Sequence, residues 1–431
     1  MPYSDWGFSS SPFQTSSLPA SELGEKLLVG REGVLASLTR RIKAPNKMAT
    51  VEGLNGVGKT SVVNVAAYQL YRKHAETGEG PLFIPCRKIF QLDANKSAQD
   101  FIDMVLMEVA QTLIERQEDV MRHGQWLRTN EIDRWLNAPQ LVSMSGGIWV
   151  INAGLQKETN TALGFEKSGF RKAVSTWLEA VFPEEDAGGI ICVIDNLELL
   201  QSSDAARQVL EQLRDELFNI QGLRWVLCGA LGIIYGVVSS PRLEGYLQPP
   251  IQIGEIGPEH AQELFESRIS TYAKPGQIPY VPMGETEFTE LYSVLKGNLR
   301  SILNYCDNYC QWVADREAPI TQDKKSEQFR IWLNEQALAA YEAAKQELRP
   351  RAIEIFKLGC QKIVFSPSDH LEFGCNSIPA FRPHIKDLES VGVLVSTQDD
   401  GDKRRKTIQI TPKGWLVKYY FDNAASESAV V

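Results

Sequence analysis

The sequence predicts an α/β fold: a wound parallel sheet with helices on both faces, then a helical region and a smaller C-terminal unit. Three observations carry this. Between residues 48 and 228, short runs rich in β-branched residues alternate with segments of helical apolar period, the pattern of parallel strand–helix–strand units. The run Gly53-Leu54-Asn55-Gly56-Val57-Gly58-Lys59-Thr60 falls between one such strand and one such helix. Beyond Gly257 strand signals give way to helices, and short strands return only in the last 80 residues.

The elements follow in chain order. Residues 1–24 are polar and rich in Ser and Pro, which suggests an extended arm rather than a packed element. Residues 31–42 read as an amphipathic helix through Val34, Leu35, Leu38 and Ile42. A short strand at 48–52 leads into the glycine-rich turn, and a helix at 59–73 carries Val62, Val63, Ala66, Ala67 and Leu70. A second strand at 82–86 precedes a strongly periodic helix at 98–116. Residues 117–166 fit no clean period, and SGGIWVINAGLQKETNTALGF within them resembles a hairpin inserted between core elements. A helix (170–181), a buried strand (190–194), a helix (205–218) and another strand (225–228) complete the sheet. The expected division is an arm (1–24), a core (25–250), a helical region (251–318), a charged helical connector (319–348), a C-terminal unit (349–421) and a tail (422–431). No internal repeat is found.

Composition excludes several function classes. The 431 residues are 43% apolar and 23% charged, which is ordinary globular usage. With 45 basic and 54 acidic residues the formal charge is −9, so indiscriminate coating of nucleic acid or anionic membrane is disfavoured and any nucleic-acid contact must be local. Seven scattered cysteines without a CxxC pair, and only five histidines, support neither a zinc ribbon nor a disulfide framework. Cys306 and Cys310, one helical turn apart, read as small apolar residues. The segment 225–241 is 17 residues without a charge, but it holds three glycines, ends in Ser-Ser-Pro and falls short of a bilayer span. It reads as a buried strand running into a helix. MPYSDWGFSS lacks a basic segment followed by an apolar run, so a cytoplasmic protein without a membrane segment is expected.

Residues 53–60 match G-x-x-x-x-G-K-[ST] in full. Glycines let backbone N–H groups curl around an oxyanion without Cβ clashes. The helix starting at Lys59 points its positive end at the phosphates, with Gly53, Asn55, Gly56, Val57, Gly58 and Ser61 completing the cradle. Lys59 reaches the β- and γ-phosphates, and the Thr60 hydroxyl can ligate Mg²⁺. The pattern implies a nucleoside triphosphate. Its complement is an apolar strand ending in an acid, supplied by Ile190-Ile191-Cys192-Val193-Ile194-Asp195. Asp195 is expected to hold hydrated Mg²⁺ with Thr60, the alternative being a simple helix cap. Glu198 is the candidate for polarising the attacking water, since Asn196 stands where many P-loop ATPases have that acid.

Taken together, the chain resembles the AAA+ ATPases, in particular their origin-recognition-like and STAND branches, over about residues 25–315. Leu28-Val29-Gly30-Arg31-Glu32 is similar to their adenine-contacting segment, which would assign Val29, Gly30 and Arg31 to the base. Residues 224–230 lie where the sensor-1 strand should be. Ser239-Ser240-Pro241-Arg242-Leu243 lies where an arginine finger is often placed. Gly297-Asn298-Leu299-Arg300 is similar to the sensor-2 motif, making 251–318 a lid over the core. The resemblance implies ATP or ADP with Mg²⁺, Arg242 acting on a neighbour's γ-phosphate in a nucleotide-dependent homo-oligomer, and Arg300 sensing nucleotide in its own chain. Arg242 also reads as a solvated turn residue, and Arg300 as half of a surface ion pair. Cys228-Gly229 in place of a polar sensor, and Leu299 in place of proline, point to a slow nucleotide switch.

Residues 340–420 carry 13 basic and 10 acidic residues, a local excess of +3. The expected order is a helix at 351–358, a possible helix at 366–373, and a helix at 379–390 capped by Ser377. A strand at 394–396, a charged turn and a strand at 407–410 follow. This order, and LESVGVLVSTQDDGDKRRKTIQITPKG in particular, resembles a winged helix of the MarR type. Duplex DNA would then meet Lys403, Arg404, Arg405 and Lys406 on the wing, with Arg382 and Lys386 on the recognition helix. Pro383 would shorten or kink that helix. Winged helices also pack on proteins, so an effector or partner protein, or restraint of the core itself, is the competing expectation.

Overall fold

The structure is a computed structural model and describes residues 2–93, 96–123, 140–144, 147–151, 167–200, 203–230, 234, 240–346, 348–398 and 406–428. Its centre is a parallel sheet built from β1 (Ala49–Gly53), β2 (Leu82–Pro85), β6 (Gly188–Asp195), β7 (Leu223–Gly229) and β8 (Ile251–Ile253). The strand order is β2-β6-β7-β1-β8, and the two-residue β3 (Phe90–Gln91) also pairs with β6. Representative partners are Leu82 with Gly188, Ile190 with Leu223, Ala49 with Val226, and Val51 with Ile251.

Every residue of β6 is buried, because both faces of the sheet are covered. Ile191 and Val193 enter the core shared with α2 (Glu32–Lys43) and α3 (Lys59–Thr77). Ile190, Cys192 and Ile194 enter the opposite core, with α4 (Ala98–Glu115) and α6 (Lys167–Val181). The short helices α1 (Glu22–Leu27) and α5 (Gln117–Arg122) flank this framework, and α7 (Ser203–Leu213) ends in a π-helical turn at Arg214–Phe218. Local chemistry sets the helix ends. Ser97 accepts from Asp100 N at the start of α4, and Gly78 closes α3 in the left-handed region. The fold class is the one expected, α/β with a mostly parallel sheet flanked by helices.

The helices α8 (Ala261–Tyr272), α9 (Glu285–Val294) and α10 (Leu299–Ala314) pack through Phe265, Phe288, Tyr292, Leu303 and Tyr309. Cys306 and Cys310 are buried on α10, in the apolar role expected of them. The connector forms α11 (Gln322–Glu342), whose Phe329 and Trp332 lie within ring contact of Tyr309. The C-terminal unit runs α12 (Pro350–Lys362), β9 (Val364–Phe365), a 3₁₀ turn (Pro367–Leu371), α13 (Ile378–Ser390), β10 (Leu394–Gln398), β11 (Lys406–Ile410) and α14 (Pro412–Ser428). Its strands form an antiparallel sheet in the order β10-β11-β9.

Several expectations change. The N-terminal arm is not a free extended segment: Tyr3, Phe8, Phe13 and Leu18 are buried. Its backbone is fastened by Ser9 N to Tyr272 O and Lys274 N to Gly7 O, both 2.8 Å. Ser/Pro-rich composition hides these anchors because they recur at no regular period. Residues 251–253 belong to the sheet rather than the lid, being too short a strand to show alternation. Residues 366–373 contain a 3₁₀ turn, not an α-helix. Helix α13 runs through Pro383 and is not shortened there. Within the 117–166 insertion, β4 (Gln140–Met144) and β5 (Gly147–Ile151) pair as an antiparallel hairpin. The remainder beyond α5 and His123, including most of the predicted hairpin stretch, lies outside the described residues.

Candidate functional site

The parallel strands β1 and β6 end on the same edge of the sheet, so Gly53 and Asp195 emerge together beside the glycine-rich loop. Strand order reverses around β1, the place where open α/β sheets form their ligand crevice. Gly56 and Gly58 adopt φ of 87° and 92°, values an L side chain rarely takes, and α3 starts at Lys59 with no side chain capping its first amides. Those free N–H groups and the helix dipole make the loop an anion cradle.

The site's polar side chains are tightly connected. Thr60 Oγ1 donates to Asp195 Oδ2 at 2.5 Å, and Asn196 N donates to Asp195 Oδ1 at 2.9 Å. Asp195 is buried at the end of β6, and Asn196 makes the turn with φ 57°. Lys59 is buried as well, its Nζ donating to Gly53 O (3.0 Å) and Leu54 O (3.2 Å). Thr60 and Asp195 are hard oxygen donors side by side, a set that fits Mg²⁺ sharing its shell with water and phosphate.

Other predicted residues divide by what they touch. Val29, Arg31, Asn55, Val57, Ser61 and Arg300 line the cleft together with Gly56, Gly58, Lys59 and Thr60. Arg31 is a buried brace whose Nη2 donates to Val57 O (3.1 Å) and Gly254 O (2.7 Å), and burial lowers its pKa. Gly30 and Gly53 do not line the cleft. Gly30 turns at φ 69° against the His260 ring, and Gly53 supplies the carbonyl that holds Lys59. Glu198 sits on a 3₁₀ turn (Leu197–Leu200), also outside the lining, where its Oε2 accepts from Ala230 N at 3.0 Å. It thus ties the acid strand to the end of β7. The thiol of Cys228 on β7 is pushed well up by burial, with Asp195 adding to the effect.

Residues 297–300 lie directly on the loop. Asn298 caps α10 by accepting from Ser301 N (3.1 Å), and its Nδ2 reaches Asn55 O at 3.5 Å. A Cβ at Gly56 would stand 3.3 Å from the Cβ of Arg300, which is exposed on the first turn of α10. Arg242 lies elsewhere: exposed, paired with Glu211 at 3.5 Å, in the turn leading to the Leu247–Met48 bridge. That bridge stands at the end of β1 opposite the loop.

Two features carry no sequence motif. Residues Thr15, Ser16, Ser17 and Leu18 form one side of the cleft, and Ile256, Leu264 and Leu303 supply apolar surface from beyond the sheet. A second cleft of about 350 Å³ separates Leu54, Gly56, Asn298 and Arg300 from Val395, Thr411 and Trp415 of the C-terminal unit. There Lys296 Nζ stands 5.7 Å over the Trp415 ring, and burial raises the carboxyl pKa of Glu255 against the pull of Lys296. On α13, Arg382 and Lys386 are both exposed, four residues apart on one face. Lys403, Arg404 and Arg405 lie outside the described residues, as does the side chain of Lys406, whose backbone opens β11. Among the described residues no helix is long and apolar enough to cross a membrane.

The chain matches no protein-family model and no curated protein. Among solved structures it is similar to the ORC2 protein of Aeropyrum pernix in ADPNP–ADP complexes, at 11% identity over 98% of this chain and 99% of that one, with a TM-score of 0.46. It is also similar to a Walker-type ATPase of Pyrococcus abyssi, at 12% identity over 94% and 99%, TM-score 0.45. A third is Cdc6p from Pyrobaculum aerophilum, at 14% identity over 96% and 98%, TM-score 0.40. At such values the chemistry of the cleft rests on its own geometry.

Proposed function

We propose that the chain is a slow, Mg²⁺-dependent ATPase of the AAA+ type, in which bound ATP or ADP sets the position of a winged-helix C-terminal unit. The observation that carries it is the 2.5 Å bond between Thr60 Oγ1 and Asp195 Oδ2, which joins the phosphate loop to the acid strand. Lys59 would exchange the carbonyls of Gly53 and Leu54 for the β- and γ-phosphates, and the first amides of α3 would hold phosphate oxygens. Mg²⁺, held by Thr60 and Asp195, would neutralise charge on the β- and γ-phosphates. Glu198 would orient the attacking water, and Arg300 would approach the γ-phosphate from the lid. Arg242, exposed and outside the cleft lining, would act on nucleotide held by a neighbouring copy, so full turnover would require a homo-oligomer. The preference for ATP over GTP follows from the family resemblance.

Duplex DNA is the proposed partner of the C-terminal unit. Arg382 and Lys386 would enter the major groove, and Lys403, Arg404, Arg405 and Lys406 would meet phosphates. A second reading is favoured by the cleft between the phosphate loop and Trp415: the unit packs on the core as a protein-facing restraint, as in a STAND-type signalling switch. ATP hydrolysis by the full chain, with and without duplex DNA and beside Lys59→Ala, separates the two. DNA-stimulated turnover lost in the variant supports DNA-coupled assembly. Slow hydrolysis indifferent to DNA supports the restrained switch, and no hydrolysis overturns the enzyme reading.

A further inference from the structure

We propose that Thr15, Ser16 and Ser17 form a hydroxyl-bearing wall of the nucleotide site, hydrogen-bonding the sugar and α-phosphate of the bound nucleotide. The proposal rests on the reading of the cleft as a nucleotide site and adds residues outside every motif in the chain.

The three side chains are exposed and line the cleft, and among the described hydrogen bonds none involves their hydroxyls. They sit between two buried anchors, Phe13 and Leu18. On the lid side Phe13 stacks on Phe265 of α8, with ring centroids 6.4 Å apart. Tyr3 Oη and Ser11 Oγ donate to Asp307 Oδ1 on α10 at 2.5 and 2.7 Å. The buried guanidinium of Arg268 donates to Pro12 O (3.0 Å) and Gln14 O (3.4 Å). On the core side Leu18 N donates to Ser61 Oγ (3.0 Å), and Asn64 Nδ2 donates to Leu18 O (2.8 Å).

A segment tied down this closely on both sides has already lost most of its freedom, so its hydroxyls can bind a ligand with little further entropy cost. The tie at Ser61 sets their position. Ser61 directly follows Thr60, so the wall meets the first turn of α3, between the phosphate loop and the apolar surface of Leu28, Val29 and Leu264. A chain of phosphate, sugar and base laid along the cleft passes this wall at the sugar. Hydroxyls both donate and accept, which suits sugar hydroxyls and phosphate oxygens alike. Arg268 lines the same cleft, which places the residue that fastens Pro12 and Gln14 beside the wall.

The test is nucleotide titration of the full chain with ADP and with ATP plus Mg²⁺, comparing wild type with a variant carrying Thr15→Ala, Ser16→Ala and Ser17→Ala. Losing two or more neutral hydrogen bonds raises Kd about tenfold or more. The nucleotide-free unfolding midpoint should not move, because the side chains are exposed. A second variant, Thr15→Ser with Ser16→Thr and Ser17→Thr, keeps the hydroxyls and should retain affinity. An alanine variant binding within about twofold of wild type overturns the wall, as does equal loss in the hydroxyl-retaining variant. A wild type that binds no nucleotide overturns the reading of the cleft instead, so the two failures are distinct.

Discussion

His123 shows how a single residue can set a pH response. Its ring stands 5.0 Å from that of His74, and burial, then the neighbouring His74, holds its pKa below the usual 6.5. The unfolded chain therefore binds this proton more readily than the folded one. The contribution to stability is flat above about pH 6.5, falls as pH drops through that value, and levels off below the depressed folded value. Denaturant midpoints measured from about pH 7.5 to about pH 5.5 should show an acid-side loss that is smaller in His123→Gln. The candidate site residues are readable at this scale because the pattern that marks them is written in adjacent letters. Lys59 and Thr60 follow the glycines in sequence, and Asp195 ends an unbroken apolar run. Arg31 was less legible: sequence points to the base, whereas its guanidinium braces Val57 O and Gly254 O. Its second partner lies 223 residues away, beyond the reach of any local pattern.

Elements differ in how much of their position the sequence reveals. The helices α3 and α4 and the strands β6 and β7 are legible because periodic burial repeats over several turns or both faces. Strand β8 is not, since three residues show one alternation at most. Gly30 marks a position where an element's entry angle depends on the absence of a side chain. It precedes α2 with φ 69°, and a Cβ would lie 2.8 Å from the ring of His260, the residue before α8. Gly30→Ala should cost about 1–3 kcal/mol in denaturant unfolding, through the left-handed backbone and the displaced ring. An unchanged midpoint would mean that His260 yields freely.

At the scale of the whole molecule, α11 touches both the preceding helices and the C-terminal unit. Its 21 residues span roughly 31 Å. One part packs on Tyr309 of α10 through Phe329 and Trp332, while Tyr341 stacks on Tyr420 of α14, with centroids 4.3 Å apart. In the proposed switch, a shift of α10 would reach the C-terminal unit through these packed side chains. The proposed oligomer makes a separate prediction. Arg242→Ala and Lys59→Ala should each be nearly inactive alone, yet mixing them should recover part of the activity. The Arg242→Ala copy keeps an intact phosphate loop, and the Lys59→Ala copy supplies the arginine. No recovery, under conditions where the wild type assembles and turns over, would remove Arg242 from the mechanism.

What the sequence determined by itself is local: a glycine-rich loop between strand and helix, an acid at the end of a buried strand, and the α/β class of the sheet. These depend on spacing of a few residues and on periodic burial, both of which the chain carries in linear order. Tertiary structure alone decided that the arm docks, that residues 251–253 complete the sheet, that Asn298 and Arg300 rest on Gly56, and that the C-terminal unit faces the loop. Each of these joins segments tens to hundreds of residues apart through shape and single hydrogen bonds. Such contacts leave no period or motif to read, because the free energy that selects them comes from the assembled surfaces and not from either segment alone.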